Sequence, residues 1–255
     1  MVKAADIIRR SFAEFIGTFA LVFFGCGARI MVGGDVDNMA AILVVHLTFG
    51  LTIAAMIYTM SYISAALFNP AITLGFAVAR RFPWKLALPF WLAQFLGALL
   101  ASTVHFLIVP AKASVAHYGA TTPKISLVAA LVIECVLTFF LMYVSMATAT
   151  DKRFNRASGG LTVGFVIIVS GLFANFLTGG SMNPARSLGP AIFAGGEALT
   201  NVWIYFVAPL VGACLGAIVY EIVRGGDQNA KDILDEFPVS KSPVKPDKLP
   251  VLEEK

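Results

Sequence analysis

The sequence predicts an all-α membrane protein: six transmembrane helices plus two re-entrant half-helices, arranged as an inverted repeat. Three observations predict it. The 255 residues are 58% hydrophobic and only 13% charged, with a mean hydropathy of +0.81, whereas a soluble domain carries about 25% charged residues. Six apolar runs are each long enough to cross a bilayer, which takes about 20 residues of helix. The two halves also resemble each other, and each holds one Asn-Pro-Ala triplet, at 69–71 and 183–185.

The six runs lie at roughly 8–32, 40–62, 86–109, 126–149, 160–178 and 201–223. The first has no small-residue cleavage site behind it, so it reads as a retained helix and not as a signal peptide. The triplets follow the second and fifth runs, and each opens a shorter apolar stretch, 70–79 and 184–193. A helix of ten residues reaches about 15 Å, half the hydrocarbon core. These stretches are too short to span and too apolar to be ordinary loops.

Basic residues set the direction of insertion. Lys3, Arg9 and Arg10 precede the first run; Arg80, Arg81 and Lys85 lie between the second and third. Lys152, Arg153 and Arg156 lie between the fourth and fifth, and Arg224 follows the sixth. The alternate connections are poorer in Lys and Arg, with Asp35 and Asp37, then Lys112 and Lys124, then Glu197. Both termini are expected to be cytoplasmic. The net charge of +4 thus reads as topology and not as affinity for nucleic acid. Residues 1–223 form the membrane domain, with repeats at about 8–110 and 126–223. Residues 224–255, rich in charge and proline, are expected to be a mostly disordered cytoplasmic tail in which 228–236 are the one candidate for a short helix.

The repeat is legible residue by residue. "AEFIGTFALVFF" at 13–24 matches "IECVLTFFLMYV" at 133–144, aligning Glu14 with Glu134 and Thr18 with Thr138. Three spanning runs per half is an odd number, so the halves must insert with opposite orientation and the half-helices can meet near the midplane. A glutamate inside a membrane is costly unless satisfied. Glu14 and Glu134 are therefore expected to accept hydrogen bonds from the irregular backbone before each triplet. A proton relay would need further titratable groups, which these helices do not offer.

Asparagine is a strong N-cap, and proline suits the first helical turn because its missing N–H has no partner there anyway. Asn69, Pro70 and Ala71, and Asn183, Pro184 and Ala185, each read as a helix start. Two helix N-termini face to face concentrate positive potential. Cations meet a barrier there, while a neutral polar molecule can accept a hydrogen bond from an asparagine amide. The residues leading into each cap suit extended backbone, and the carbonyls of Ala65, Ala66, Leu67, Phe68, Gly179 and Ser181 are expected to form a ladder of acceptors.

With these residues in view, the chain resembles the aquaporin and aquaglyceroporin (major intrinsic protein) superfamily from about residue 10 to 223. The likeness is carried by "AEFIGTF", "FNPAIT", "AQFLGA" at 93–98, "SMNPARSLGPA" and "APLVGA" at 208–213. The stretch 160–192 is most similar to nodulin-like intrinsic proteins and their bacterial relatives. The resemblance implies one pore per subunit, a homotetramer, a plasma-membrane location and passage of water and small uncharged solutes. Members of that group pass glycerol, boric acid and arsenous acid. It also implies an outer filter at Phe49, Gly171, Gly180 and Arg186. With two side chains absent, that filter should open wider than a water-selective one, with Phe49 and Arg186 facing each other across the glycines. Other markers differ: Ser187 and Ala191 stand where glycerol facilitators carry an acid and a base, and Tyr205-Phe206 is a pair of the water-channel kind. A strictly water-selective pore is the alternative. Leu67 replaces the usual histidine two residues before the first asparagine.

The remaining features are read structurally. Cys26, Cys135 and Cys214 lie in apolar runs without metal-ligand spacing, as buried small hydrophobes. His46, His105 and His117 fall off the motif positions and read as packing or loop residues. Gly160 and Gly164, and Gly212 and Gly216, have the spacing of close helix packing within the subunit. No nucleophile, base or metal constellation points to an enzyme, and no metal or cofactor is implied. A secondary transporter would share the inverted repeat but would need a coupling-ion site, which the sequence does not present.

Overall fold

A computed structural model of the chain describes residues 4–34 and 38–225. Lys3, Asp35, Asp37 and the tail from residue 226, including the candidate helix at 228–236, lie outside the described residues.

Among the described residues the elements are helical throughout. They run α1 Ala4–Met31, α2 Met39–Met60, α3 Pro70–Val78, α4 Ala87–Ile108, α5 Pro110–Val115, α6 Leu127–Thr150, α7 Gly159–Ala174, α8 Pro184–Ala194, α9 Gly196–Thr200 and α10 Ile204–Val223. Six spans are long and apolar enough to cross a membrane: α1, α2, α4, α6, α7 together with the 3-10 turn Arg156–Ser158 before it, and α10. The half-helices α3 and α8 are the 9- and 11-residue elements that open on the triplets. Large apolar side chains such as Leu92, Leu96, Phe140, Phe165 and Val211 remain exposed on the outer faces. They suit contact with lipid, where burial against protein is not required.

Packing follows the repeat. In the first half α1 packs on α4, in the second α6 packs on α10, and α2 pairs with α7 across the halves. Glycines bring these backbones together. A Cβ on Gly97 of α4 would strike the Phe15 carbonyl of α1, and one on Gly212 of α10 the Cys135 carbonyl of α6. Gly164 of α7 would place its Cβ 2.6 Å from the Gly50 carbonyl of α2, and Gly160 would place its Cβ 3.0 Å from that of Ala54. The paired-glycine spacings thus serve helix contacts inside one chain.

Three boundaries differ from the apolar runs. The fifth run was expected to reach 178, but α7 stops at Ala174, whose carbonyl accepts from the amides of Leu177, Thr178 and Gly179. The chain leaves the helix there to begin the second re-entrant loop, where Gly179 and Gly180 have φ of +82° and +61°. The sixth run begins as a turn at 201–203. The connection at 111–124 is not plain loop, for it contains most of α5 and a 3-10 turn at His117–Gly119.

Candidate functional site

The site is built from the two triplets. Asn69 Oδ1 accepts from the Ala71 amide at 2.9 Å, and Asn183 Oδ1 accepts from those of Ala185 and Arg186 at 3.0 and 3.2 Å. Each asparagine therefore caps its own half-helix, with proline at the first turn. The amide nitrogens then reach across the chain's symmetry. Asn69 Nδ2 donates to the Met182 carbonyl at 2.8 Å, and Asn183 Nδ2 donates to the Phe68 carbonyl at 3.0 Å. These amides, expected to offer donors to a solute, thus also have a structural partner. One hydrogen of each locks the opposite loop, which leaves one for the cavity.

The irregular backbone before each triplet hangs on a buried carboxylate. Glu14 accepts from Ser64 Oγ (2.6 Å), the Leu67 and Phe68 amides (3.0 and 2.6 Å) and Gln94 Nε2 (2.9 Å). Glu134 accepts from Thr178 Oγ1 (2.6 Å) and the Ser181 and Met182 amides (2.9 and 2.8 Å). Both are 0% exposed. The anchoring is needed because Ala65, Ala66, Phe68 and Met182 adopt positive φ of 98°, 55°, 51° and 54°, a region costly for residues with a Cβ.

A cavity of about 250 Å³ runs past both triplets. Its lining includes His46, Phe49 and Tyr58 along α2, with Tyr62, Arg156 and Arg186. Ala65, Ala66, Leu67 and Phe68 from the first loop and Gly180, Ser181 and Met182 from the second both contribute to its lining. One of the expected acceptor positions, Gly179, is placed differently, and another, Phe68, is already in use. Gly179 is off this wall and sits against Thr121, its Cβ position 3.2 Å from that side chain. The Phe68 carbonyl already accepts from Asn183, as Met182 does from Asn69.

Arg186 is 3% exposed. Its guanidinium donates to the Gly119 carbonyl at 3.0 Å and lies over the Phe49 ring, 4.6 Å from the centroid. Phe49 and Arg186 are thus in cation–π contact, not separated by a gap across two glycines. Neighbours also approach both glycines. A Cβ on Gly180 would come within 3.1 Å of the Gly171 Cα, so the loop backbone itself packs on α7. A Cβ on Gly171 would land on the His46 ring, which occupies that space. His46, expected to be a packing residue, lines the cavity, and Gly171 is covered by it. His105 does pack between helices, with Nε2 2.9 Å from the Phe23 carbonyl.

Several contacts here were not legible in the sequence, even where the residue itself, as with Ser187 and Tyr205, was singled out. Gly119 holds Arg186 and accepts weakly from Cys26 Sγ at 3.7 Å. Ser187 Oγ bonds both Thr121 Oγ1 and Ser181 Oγ, at 2.8 and 2.5 Å. Tyr205 Oη donates to the Thr178 carbonyl at 2.8 Å, and Trp91 Nε1 to that of Pro70 at 3.1 Å. For His46 a signal existed. It lies three residues before Phe49, one turn away on the same face of α2.

Known proteins share this architecture. The family described as Major intrinsic protein matches residues 1–220. Aquaporin NIP1-1 of Zea mays is 40% identical over 233 residues, covering 91% of this chain and 81% of that protein. Aquaporin NIP2-1 of Oryza sativa subsp. japonica is 40% identical over 221 residues, covering 87% and 72%. The X-ray structure of the aquaglyceroporin from Plasmodium falciparum superposes with a TM-score of 0.72 at 26% identity, over 84% of this chain and 93% of that one.

Proposed function

The chain belongs to the major intrinsic protein family, and on that premise we propose a passive, bidirectional pore for water and small uncharged solutes that excludes ions and protons. It is an integral, multi-pass membrane channel of the aquaporin kind and not an enzyme. The finer reading is carried by one observation. Two asparagine-capped half-helices meet tip to tip, cross-bonded, on a single cavity lined by both loops.

The chemistry follows from that arrangement. Two positive helix ends and the Arg186 guanidinium raise the potential felt by a cation. A neutral solute can accept from the free hydrogens of Asn69 and Asn183 and from Arg186. It can donate to carbonyls of Ala65, Ala66, Leu67 and Ser181. Leu67, Ile53 and Ile72 keep the remaining walls apolar, so a passing molecule is held on one side only and is not bound tightly. The solute range we propose is water with glycerol-like polyols and the neutral hydroxy acids of boron and arsenic. The strictly water-selective alternative is favoured by the His46 ring over Gly171. Assembly as a homotetramer in the plasma membrane, with both termini cytoplasmic, completes the proposal.

Proteoliposomes under an osmotic step test it. Light scattering should show water flux, then glycerol and urea flux, above that of protein-free vesicles. The rates should depend weakly on temperature and be indifferent to sodium and proton gradients. Solute entry that required either gradient would make this a transporter.

A further inference from the structure

We propose that His46 is the selectivity residue that α7 lacks: its imidazole fills the corner left by Gly171 and sets the upper size limit of the pore. The inference rests on the channel reading above and narrows it.

Position comes first. A Cβ built on Gly171 would overlap His46 Nδ1 and lie 2.8 Å from both Cγ and Cε1. The ring therefore takes up the volume that a side chain at residue 171 would enter. His46 and Phe49 lie one turn apart on α2 and share the cavity wall with Arg186. The constriction thus has an aromatic, an imidazole and a guanidinium, with the imidazole delivered from α2.

The ring is also held. His46 Nε2 lies 3.2 Å from Asn175 Oδ1, and Asn175 is the C-cap residue of α7, one turn past Gly171. Both partners are 3% exposed. With the Asn175 oxygen as acceptor, Nε2 is the donor and Nδ1 is the nitrogen turned to Gly171. A solute of larger cross-section meets the edge of a ring fixed at its far nitrogen.

The sequence pattern explains why glycine stands at 171. Any β-carbon there would evict the ring, so Gly171 and His46 are paired requirements. A histidine that merely filled space between α2 and α7 would affect stability. A filter residue affects which solutes pass.

The test compares wild type with His46→Ala in proteoliposomes, taking water, urea and glycerol in turn. The glycerol-to-water and urea-to-water permeability ratios should rise by about tenfold, the scale on which a single lining group changes discrimination. Asn175→Ala, which keeps the ring but releases it, should raise both ratios less. Adding Gly171→His to His46→Ala, which returns an imidazole from α7, should lower them again. Unchanged ratios in a His46→Ala channel that still passes water would overturn the proposal. If His46→Ala does not fold, unchanged ratios in Asn175→Ala would overturn it instead. Wild-type vesicles no more permeable than protein-free ones would sink the channel reading itself.

Discussion

Glu134 shows how much one buried side chain can carry. Its two oxygens accept two backbone amides and one hydroxyl from a loop that includes Met182 at φ +54°. Glutamine keeps the shape but turns one oxygen into a donor that faces another donor. Leaving a buried amide unsatisfied costs about 1–3 kcal/mol. Glu134→Gln should therefore lower the melting temperature of the detergent-solubilised protein and reduce water flux. An unchanged melting temperature would mean that the loop holds its shape without the carboxylate. Glu14 has the same task in the first half, with Gln94 as an added donor. Both roles could be read from the aligned glutamates alone. For His46 the sequence signalled only its place one turn from Phe49; its partners Gly171 and Asn175 are more than 120 residues away in the chain, and only helix packing brings them together.

Helix pairs are the next scale. Gly212 and Gly216 put the backbone of α10 against the carbonyls of Cys135 and Phe139 on α6. Gly212→Val would force those helices apart, and overpacking of a close contact costs about 1–3 kcal/mol. Thermal unfolding in detergent should show that loss; a variant as stable as wild type would place the contact elsewhere. The connection between α6 and α7 makes a separate prediction. Asp151 caps α6, accepts a two-pronged bond from Arg153 (2.9 and 2.6 Å) and accepts from Tyr220 Oη at 3.0 Å. Those bonds, Arg153 first, hold its carboxyl well below the usual carboxylate range. A depressed value stabilises the fold above the ordinary carboxylate range, near pH 4, and the gain disappears as pH falls through the folded value. Asp151→Asn should thus lower the melting temperature slightly at pH 7 and not at all in strong acid. Arg153 is 70% exposed, so the loss should stay below about 1 kcal/mol. Melting curves across pH decide it. These three bonds tie down the start of the eight-residue connection at 151–158.

At the scale of the molecule, the inverted repeat explains why the two loops share one design. Each carboxylate holds the loop before its own triplet, and each asparagine holds the loop before the other. Neither half closes its pore wall alone. The exposed apolar faces of all six spanning helices suit both lipid and neighbouring subunits. The homotetramer proposed above predicts a mass in detergent, after subtraction of bound detergent, of four times the 27.2 kDa chain. Light scattering on purified protein would read it directly, and a monomer mass would refute it.

Composition and spacing determined the class, the six spans, the two half-helices and their opposed insertion. These depend on periodic hydrophobicity, helix-capping chemistry and an odd number of crossings, all local or countable along the chain. The width of the constriction was not countable in that way. Reading Gly171 and Gly180 as missing side chains predicted an open corner, but a glycine is an opening only if no neighbour enters it. The packed helices brought in the His46 ring at one glycine and the loop backbone at the other. They also set Arg186 directly on Phe49 and tied it to Gly119. Size selection depends on the volume left after every neighbouring helix has placed its side chains, so it follows from packing and not from the filter positions alone.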